Sequence, residues 1–160
     1  MRILRYGIAA LALFGTVATV ACGGLTKSPA EGLTFKPPAD WPSSPGIMGM
    51  MQFWSSTDKK QVLMLFKVPA DFKTDQAFSS ADVKDAHIEA QRTIKVCGER
   101  PADYMKAIAT SSRTGDDNNL EMVSTKTADG VLMAMYIYPI GTQPDATADA
   151  AIYQLCPAKS

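Results

Sequence analysis

The distribution of apolar residues along the chain predicts a protein built largely from strands. Short apolar or alternating runs recur between clusters of turn-forming residues, as is typical of an antiparallel sheet. The predicted strands comprise residues 47–54, 61–68, 87–96, 102–111, 120–127 and 131–140, and a first edge strand lies near the prolines at 37 and 38. Several of these strands are separated only by short polar loops, which predicts hairpin connections.

Two of the runs differ in how their apolar residues are placed. Residues 87–96 alternate between apolar and polar side chains, which predicts a strand with one buried face. Residues 131–140 are apolar at both parities, which indicates a strand covered on both faces. The pair Asp129-Gly130 directly before this second run is a hairpin-turn signal. We therefore expect residues 131–140 to form the central strand of the sheet.

The pattern changes to a helical period near the end of the chain. Residues 145–155 are rich in alanine and place Ala148, Ala151, Ile152 and Leu155 on one face. This spacing predicts an amphipathic helix packed on the sheet. A second, short helix is predicted for residues 74–79, within a polar surface connection.

The closing part of the chain carries a family resemblance. The last predicted strand ends in Tyr136-Ile137-Tyr138-Pro139, and the following helix ends in Ala150-Ala151-Ile152-Tyr153-Gln154-Leu155. Together with the order of the elements, residues 33–157 resemble the PsbP-like superfamily, which includes extrinsic photosystem II subunits, Ran-binding Mog proteins and bacterial envelope lipoproteins of the DcrB kind. The resemblance implies an α+β fold, an antiparallel β-sheet flanked by helices, used for binding or assembly. It supplies no catalytic motif.

The first 21 residues have the layout of an export signal. Arg2 and Arg5 precede an apolar stretch at residues 8–20, and small residues then lead to Cys22. The stretch is shorter than the roughly 20 apolar residues of a membrane span, so we expect it to be cleaved. Residues 22–32 are rich in Pro, Gly, Lys and Ser, a composition that indicates a tether. We expect residues 33–160 to form a single domain.

Cys22 gives the signal a specific form. Val20-Ala21-Cys22-Gly23 resembles the lipobox of bacterial lipoproteins, with Thr19 where that family usually has Leu. The resemblance implies that Cys22 is acylated and that the mature chain is held at a membrane of the cell envelope, facing the periplasm or the cell exterior. Each buried methylene contributes about 0.8 kcal/mol to such an anchor. The alternative is ordinary cleavage after Ala21, which leaves a free thiol on Cys22.

The remaining cysteines, Cys97 and Cys156, form an even pair in an exported chain and predict a disulfide. It would join the turn after one strand to the end of the closing helix. A redox pair or a two-thiolate metal site is the alternative, although neither cysteine lies in a Cys-x-x-Cys motif.

Charge and titratable residues exclude several function classes. The 16 basic residues balance 16 acidic residues and are scattered, which argues against a nucleic-acid partner. His87 is the only histidine, so a catalytic histidine constellation has to use it, and we expect a surface role instead. Asp116-Asp117 could bind calcium but fits a solvated turn better. We therefore predict no catalytic residues, no metal site and no cofactor.

Two groups of apolar residues leave a binding role open. Four aromatic residues either pack in the core or line a groove for an apolar ligand or a partner: Phe35, Trp41, Phe53 and Trp54. The methionines at 48, 50, 51, 133 and 135 are core filler or soft ligands for Cu(I). The sequence thus predicts a non-enzymatic, lipid-anchored binding or assembly module with an envelope protein partner. The alternative is a carrier of a small apolar ligand or of a soft metal such as Cu(I).

Overall fold

The computed structural model describes residues 29–46, 51–71 and 83–158, without the side chain of Met51. Its elements in chain order are β1 (Ser43–Pro45), β2 (Met51–Ser55), β3 (Val62–Val68), β4 (Val83–Val96), β5 (Arg100–Ser111), β6 (Asp117–Thr127), β7 (Gly130–Pro139) and α1 (Ala146–Ala151). The predictions for the signal at residues 1–21, for Cys22, for the helix at residues 74–79 and for Met48 and Met50 lie outside the described residues.

All seven strands form one antiparallel sheet in the order β1-β2-β3-β7-β6-β5-β4. The prediction of a central strand is confirmed, because β7 is the fourth of the seven. The hairpin between β6 and β7 turns at Ala128-Asp129, and Gly130, which begins β7 opposite Thr127, has a φ of 143°. A β-carbon at this glycine would collide with the carbonyl oxygen of Val68, so both the backbone conformation and the close approach of β3 require glycine.

The two faces of the sheet bury different kinds of side chain. One face, which we call the tyrosine face, packs Tyr104, Tyr136 and Tyr138 with the aromatic residues of the N-terminal segment and with the buried side of α1. The other, the methionine face, carries a second buried cluster, which consists of Met64, Met105, Met122, Met133, Met135 and their aliphatic and phenylalanine neighbours. Because β3 and β7 contribute to both clusters, the central strands are apolar at both parities.

The predicted α+β fold, a sheet flanked by helices, is wrong. The structure is nearly all β, with a single six-residue helix among the described residues. That helix does lie on the sheet, with Ala148 and Ala151 buried in the tyrosine-face core. The predicted helix at residues 145–155 ends early because the chain after Ala151 is held by the N-terminal segment.

The contacts that end α1 are specific. The Thr34 amide donates to the Cys156 carbonyl at 2.7 Å, the Thr34 hydroxyl donates to the Gln154 carbonyl at 3.0 Å, and Leu33 forms an isolated antiparallel bridge with Pro157. These extended pairings compete with continuation of the helix, and the helix propensity of the alanines is too weak to prevent them.

The predicted first edge strand is corrected by the same observation. Its residues make only this bridge, and the edge strand is β1, in a stretch expected to be a loop.

Cys97 and Cys156 are joined by a disulfide, with Cα atoms 5.4 Å apart. Cys97 lies in the tight turn between β4 and β5 with a φ of 57°, and Cys156 follows α1. The bond therefore ties the end of the β4–β5 hairpin to the C-terminal segment. Since that segment pairs with Leu33 and Thr34, one covalent bond links both ends of the described chain to the sheet.

Candidate functional site

The most exposed regular element is β4, the 14-residue strand at one edge of the sheet. Among the described residues it pairs with β5 alone, and no described strand lies along its other side. Side chains of both parities are exposed from Lys84 to Glu89, and Ile88 has 48% of its surface exposed. Such an edge is a template for pairing with another strand unless the chain protects it.

The strand protects only its first half. Register shifts occur between Lys84 and His87 and between Ile88 and Ala90, and Asp85 has a φ of 50°. From Ala90 to Val96 the register with β5 is continuous, running from the Ala90–Lys106 pair to the Val96–Arg100 pair. Bulges bend a strand and interrupt its ladder, so residues 90–96 are the part of this edge that can accept a further strand. We call residues 90–96 the regular edge.

The opposite edge of the sheet, formed by β1, has far fewer backbone groups with which another strand could pair. β1 comprises three residues, includes Pro45 and directly follows Pro42. Proline lacks an amide hydrogen and confines a strand to an unpaired edge position. The two edges therefore differ in length and in hydrogen-bonding capacity, and β4 is the one suited to pairing.

A second candidate is a buried carboxylate on the tyrosine face. Glu121 on β6 is 8% exposed, and its two carboxylate oxygens accept hydrogen bonds from the hydroxyls of Tyr104 and Tyr138, each at 2.8 Å. Lys106 lies directly across from Glu121 on β5, and Arg92 of β4 stacks 4.8 Å from the centre of the Tyr104 ring. The cluster spans the sheet from β4 to β7.

The local environment shifts several pKa values in this cluster. Burial raises the pKa of Tyr104 and of Tyr138, and hydrogen bonding to the Glu121 carboxylate raises them further. Burial raises the pKa of Tyr136 to about 12. Burial also raises the pKa of Asp149 on α1, and the charge of Glu121 acts in the same direction while Lys106 opposes it. The hydroxyls of Tyr104, Tyr136 and Tyr138 therefore stay protonated well above neutral pH.

The hydrogen bonds of this network hold its side chains and α1 in place. Both oxygens of Glu121 already accept hydrogen bonds, so the carboxylate is held in place as an acceptor. Tyr136 is held in a similar way, because its hydroxyl donates to the Gln61 side chain and accepts from the Asp145 amide at 2.8 Å. Asp145 in turn caps α1 by accepting from the amides of Thr147 and Ala148, both at 2.9 Å. The polar groups thus fix α1 on the sheet.

The four predicted groove residues do not form one surface. Phe35, Trp41 and Trp54 are buried in the tyrosine-face core, where the Phe35 and Trp54 rings lie 5.2 Å apart and Trp41 lies 6.4 Å from Tyr136. Phe53 packs against the methionine-face core on the other side of the sheet. Adjacent residues of a strand point to opposite faces, which is why Phe53 and Trp54 are separated.

The other predicted residues are also dispersed. His87 is exposed on β4, opposite Ile108. Asp117 begins β6 and accepts a hydrogen bond from the Thr110 hydroxyl at 2.8 Å, and Asp116 precedes it in an exposed turn. Within the described part of the chain, no three His, Cys, Asp or Glu side chains lie close enough together to hold a metal ion.

The methionines form an arrangement that sequence reasoning missed. Met64, Met135, Met122 and Met105 are register partners in turn on β3, β7, β6 and β5, so they form one row across four strands of the methionine face. Side chains directly opposite each other in antiparallel strands have Cβ atoms about 4.5–5.5 Å apart. Their 6%, 0%, 5% and 5% exposures show that the row is buried. Only strand register brings these distant residues together.

An open cleft lies at one end of the methionine face. It has a volume of about 170 Å³ and is lined by Val68, Ala70, Asp103, Ser124, Thr125, Lys126, Val131 and Met133. Typical ligand pockets measure roughly 300–1,000 Å³ and are mostly apolar. This cleft is too small and too polar to hold a lipid chain, so it gives no support to an apolar-ligand carrier.

Comparisons with known proteins give a fold relationship only. No protein-family model and no curated protein match the chain. Seventeen chains of solved structures match it, including a crystal structure of a protein from Bacteroides thetaiotaomicron VPI-5482, with a TM-score of 0.53 and 14% identity. The match covers 85% of this chain and 48% of that chain, so this chain spans about half the neighbour's length. Across residues 29–46, 51–71 and 83–158, no helix has the length and apolar character needed to cross a membrane.

Proposed function

We propose that this chain is a non-enzymatic binding module of the bacterial cell envelope, tethered to a membrane by acylated Cys22, that engages a protein partner by strand addition along β4. The observation that carries the proposal is the regular edge, a seven-residue stretch with continuous register on one side and no strand on the other among the described residues. In strand addition, main-chain hydrogen bonds supply affinity and alternate side chains supply specificity.

Two features support an extracytoplasmic location. Residues 1–24 carry the charge, apolar stretch and cysteine of a lipoprotein signal. The Cys97–Cys156 bond is of the kind that persists in oxidising compartments. The folded body also starts close to the proposed anchor, because Ala30 already packs against the tyrosine-face core. The tether is therefore short, and β4 would work close to the membrane surface.

The placement of the titratable side chains Glu121 and His87 supports a binding role more than a catalytic one. Glu121 is committed to two tyrosine hydroxyls, and His87 is exposed on the edge strand, away from that cluster in the sheet register. Catalytic acids and bases need a shared cleft in which a substrate can reach both. Within the described part of the chain, β4 instead offers a long exposed edge with no strand beside it.

The test is site-specific photo-crosslinking of the full-length chain in its own membranes. A photoreactive residue replaces Gln91, which is exposed on the regular edge, or Gln143, which is exposed in the loop after β7. We expect a discrete protein adduct from position 91 and none from position 143. Equal adducts from both positions, or none from either, would contradict strand addition at β4.

A matched variant tests the tether in the same experiment. Cys22→Ala removes the acylation site, so the chain should move from the detergent phase to the aqueous phase on phase separation. Its photo-adduct from position 91 should weaken, because a membrane tether raises the local concentration of partners. Unchanged partitioning would contradict the lipid anchor without touching the proposed edge.

A second candidate function, soft-metal carriage, is favoured by the methionine row. Thioethers are soft ligands that select Cu(I), and Met135 has a methionine partner on each neighbouring strand. The probe is Ag(I), a redox-inert ion of the same charge and softness. We expect Met135→Leu to weaken Ag(I) binding by about tenfold or more, whereas Met133→Leu, off the row on the same strand, should change it by less than about threefold. Leucine conserves the volume, so both variants should fold. Equal affinities for the two variants and the original chain would exclude the row as a metal site.

A further inference from the structure

The regular edge has a symmetry property. A two-fold axis perpendicular to the sheet lays the β4 strands of two copies antiparallel, with both tyrosine faces on one side and both methionine faces on the other. Residues directly opposite in an antiparallel pair point to the same face. The axis therefore has to lie midway between one residue and the same residue of the second copy, which we call the central residue. Each possible central residue therefore defines one register that can be tested against the sequence.

We infer that the partner at this edge is a second copy of this chain, paired antiparallel about Thr93, an inference that rests on the strand addition proposed above. In this register Thr93 lies opposite its own equivalent. The three flanking pairs are Ala90 opposite Val96, Gln91 opposite Lys95, and Arg92 opposite Ile94. All seven residues of the regular edge are used, and the pairing ends where the bulge begins.

The charges favour this register over its neighbours. With Thr93 at the centre, no charged residue lies opposite a like charge, and a Thr–Thr pair is among the favourable cross-strand pairs. An axis through Arg92 or Lys95 would place two identical cations directly opposite each other, which is destabilising. An axis through Ile94 would carry the ladder to Cys97, which has left the strand with a φ of 57°.

The two cations on the edge are also engaged within their own chain. Arg92 lies over the Tyr104 ring at 4.8 Å, which turns it toward β5 and away from the approaching strand. Lys95 forms an ion pair with Glu99 at 2.6 Å. The ring contact holds the Arg92 charge over β5, and the carboxylate of Glu99 offsets the charge of Lys95, so both contacts lower the repulsion between two copies.

The two ends of the sheet make the assembly close on itself. An isologous contact uses the same surface on both subunits, so it stops at two copies. Continued growth would need β1 as a second pairing edge, and that strand is short and contains Pro45. The expected product is a dimer with a continuous sheet of fourteen strands, seven from each copy, not a fibre.

Disulfide trapping tests the register directly. Thr93→Cys puts two thiols on opposed residues, whose Cα atoms in an antiparallel pair lie about 4.5–5.5 Å apart, within the range a disulfide spans. Gln91→Cys is the matched control, because its two copies would lie about 13 Å apart along the strands. In membranes carrying the full-length chain, mild oxidation should give a covalent dimer for Thr93→Cys and only the background of the unmodified chain for Gln91→Cys. Equal trapping at both positions would overturn the Thr93-centred register.

Charge exchange tests the dimer without oxidation. Thr93→Glu and Thr93→Lys each place like charges opposite at the centre, so each variant alone should lose the dimer, and co-expression of the two should restore it as a mixed pair. Because Thr93 is exposed, both variants should fold like the parent chain. Failure of the mixture to recover would contradict self-pairing.

The mass of the photo-adduct from position 91 separates the two proposals. A product at twice the mass of the chain supports both strand addition and self-pairing. A product of another mass retains strand addition and overturns the second copy as partner. The absence of any adduct overturns both.

Discussion

Raising the pH above about 10 should destabilise this protein steeply, because its buried tyrosines have to ionise on unfolding. Tyr104, Tyr136 and Tyr138 have pKa values raised by burial, that of Tyr136 to about 12. Above about pH 10 the unfolded chain loses these protons while the folded chain keeps them, so the unfolded state binds fewer protons and stability falls with pH. The stability from each tyrosine is fully present below about pH 10 and is lost as the pH rises through the folded pKa.

The expected slope is large. Each such tyrosine contributes about 1.4 kcal/mol per pH unit, and three together contribute about 4 kcal/mol per unit. Total stabilities of domains are about 5–15 kcal/mol, so two pH units at this slope, about 8 kcal/mol, should unfold a domain in the lower half of that range. Urea unfolding followed by circular dichroism at a series of pH values measures this, and tyrosinate absorbance reports when the hydroxyls ionise. We expect ionisation and unfolding to coincide.

Tyr136→Phe is the control for this prediction. It removes one titrating hydroxyl and keeps the ring, so the slope above about pH 10 should fall by about one third. It also deletes the hydrogen bonds to Gln61 and to the Asp145 amide, which should lower stability at neutral pH by about 1 kcal/mol. An unchanged slope in this variant would show that the buried tyrosines are not the cause.

The strand pattern was predictable from sequence because local signals and tertiary packing agree there. The apolar run at residues 131–140 lies between neighbours on both sides as β7, and the hairpin before it turns at Ala128-Asp129, beside the predicted Asp129-Gly130 signal. Glycine is needed at residue 130 because the start of β7 closely approaches the Val68 backbone. The disulfide was predictable for a similar reason, because the few cysteines of an exported chain leave few possible pairings.

The fold class and the candidate sites were not predictable in the same way. The alanine-rich run after Pro144 predicts a long helix, but Leu33 and Thr34 capture its second half in extended pairing. That contact joins residues more than 100 positions apart, and no local pattern signals it. Glu121 could have been found, because a single carboxylate inside an apolar strand, with tyrosines at residues 136 and 138, is a sequence signal for a buried hydrogen-bonded acid.

Strand register decides the features on which the two proposed functions rest. The methionine row needs four strands in fixed alignment, and the regular edge needs the position of two bulges. Alternation along residues 87–96 correctly predicts a strand, yet it says nothing about which strand is at the edge or where its ladder is interrupted. A one-residue slip exchanges the faces of a strand, so these sites exist only once the sheet is assembled.

Loss of the Cys97–Cys156 bond should be the largest effect of any single covalent change. The two cysteines are 59 residues apart, and closing a loop of this size stabilises a fold by about 4 kcal/mol in the chain-entropy model. Each kcal/mol moves the melting temperature by about 2–4 °C in domains of about 150–250 residues and by more in smaller ones, so in the predicted domain, residues 33–160, Cys97→Ser should lower it by at least about 8 °C. Thermal unfolding in the absence of reductant measures this.

The effect should also be local, because the bond holds one particular turn. Released from the C-terminal segment, the turn between β4 and β5 lies at one end of the sheet and loses its covalent tie, whereas β3 and β7 remain enclosed by strands on both sides. Hydrogen exchange in the Cys97→Ser variant should therefore accelerate first near residues 94–102 and last in β7. The double variant Cys97→Ser/Cys156→Ser is the control, and added reductant should not change its melting temperature. If reductant leaves the melting temperature of the unmodified chain unchanged as well, the disulfide does not stabilise the sheet, and the regular edge owes its order to β5 alone.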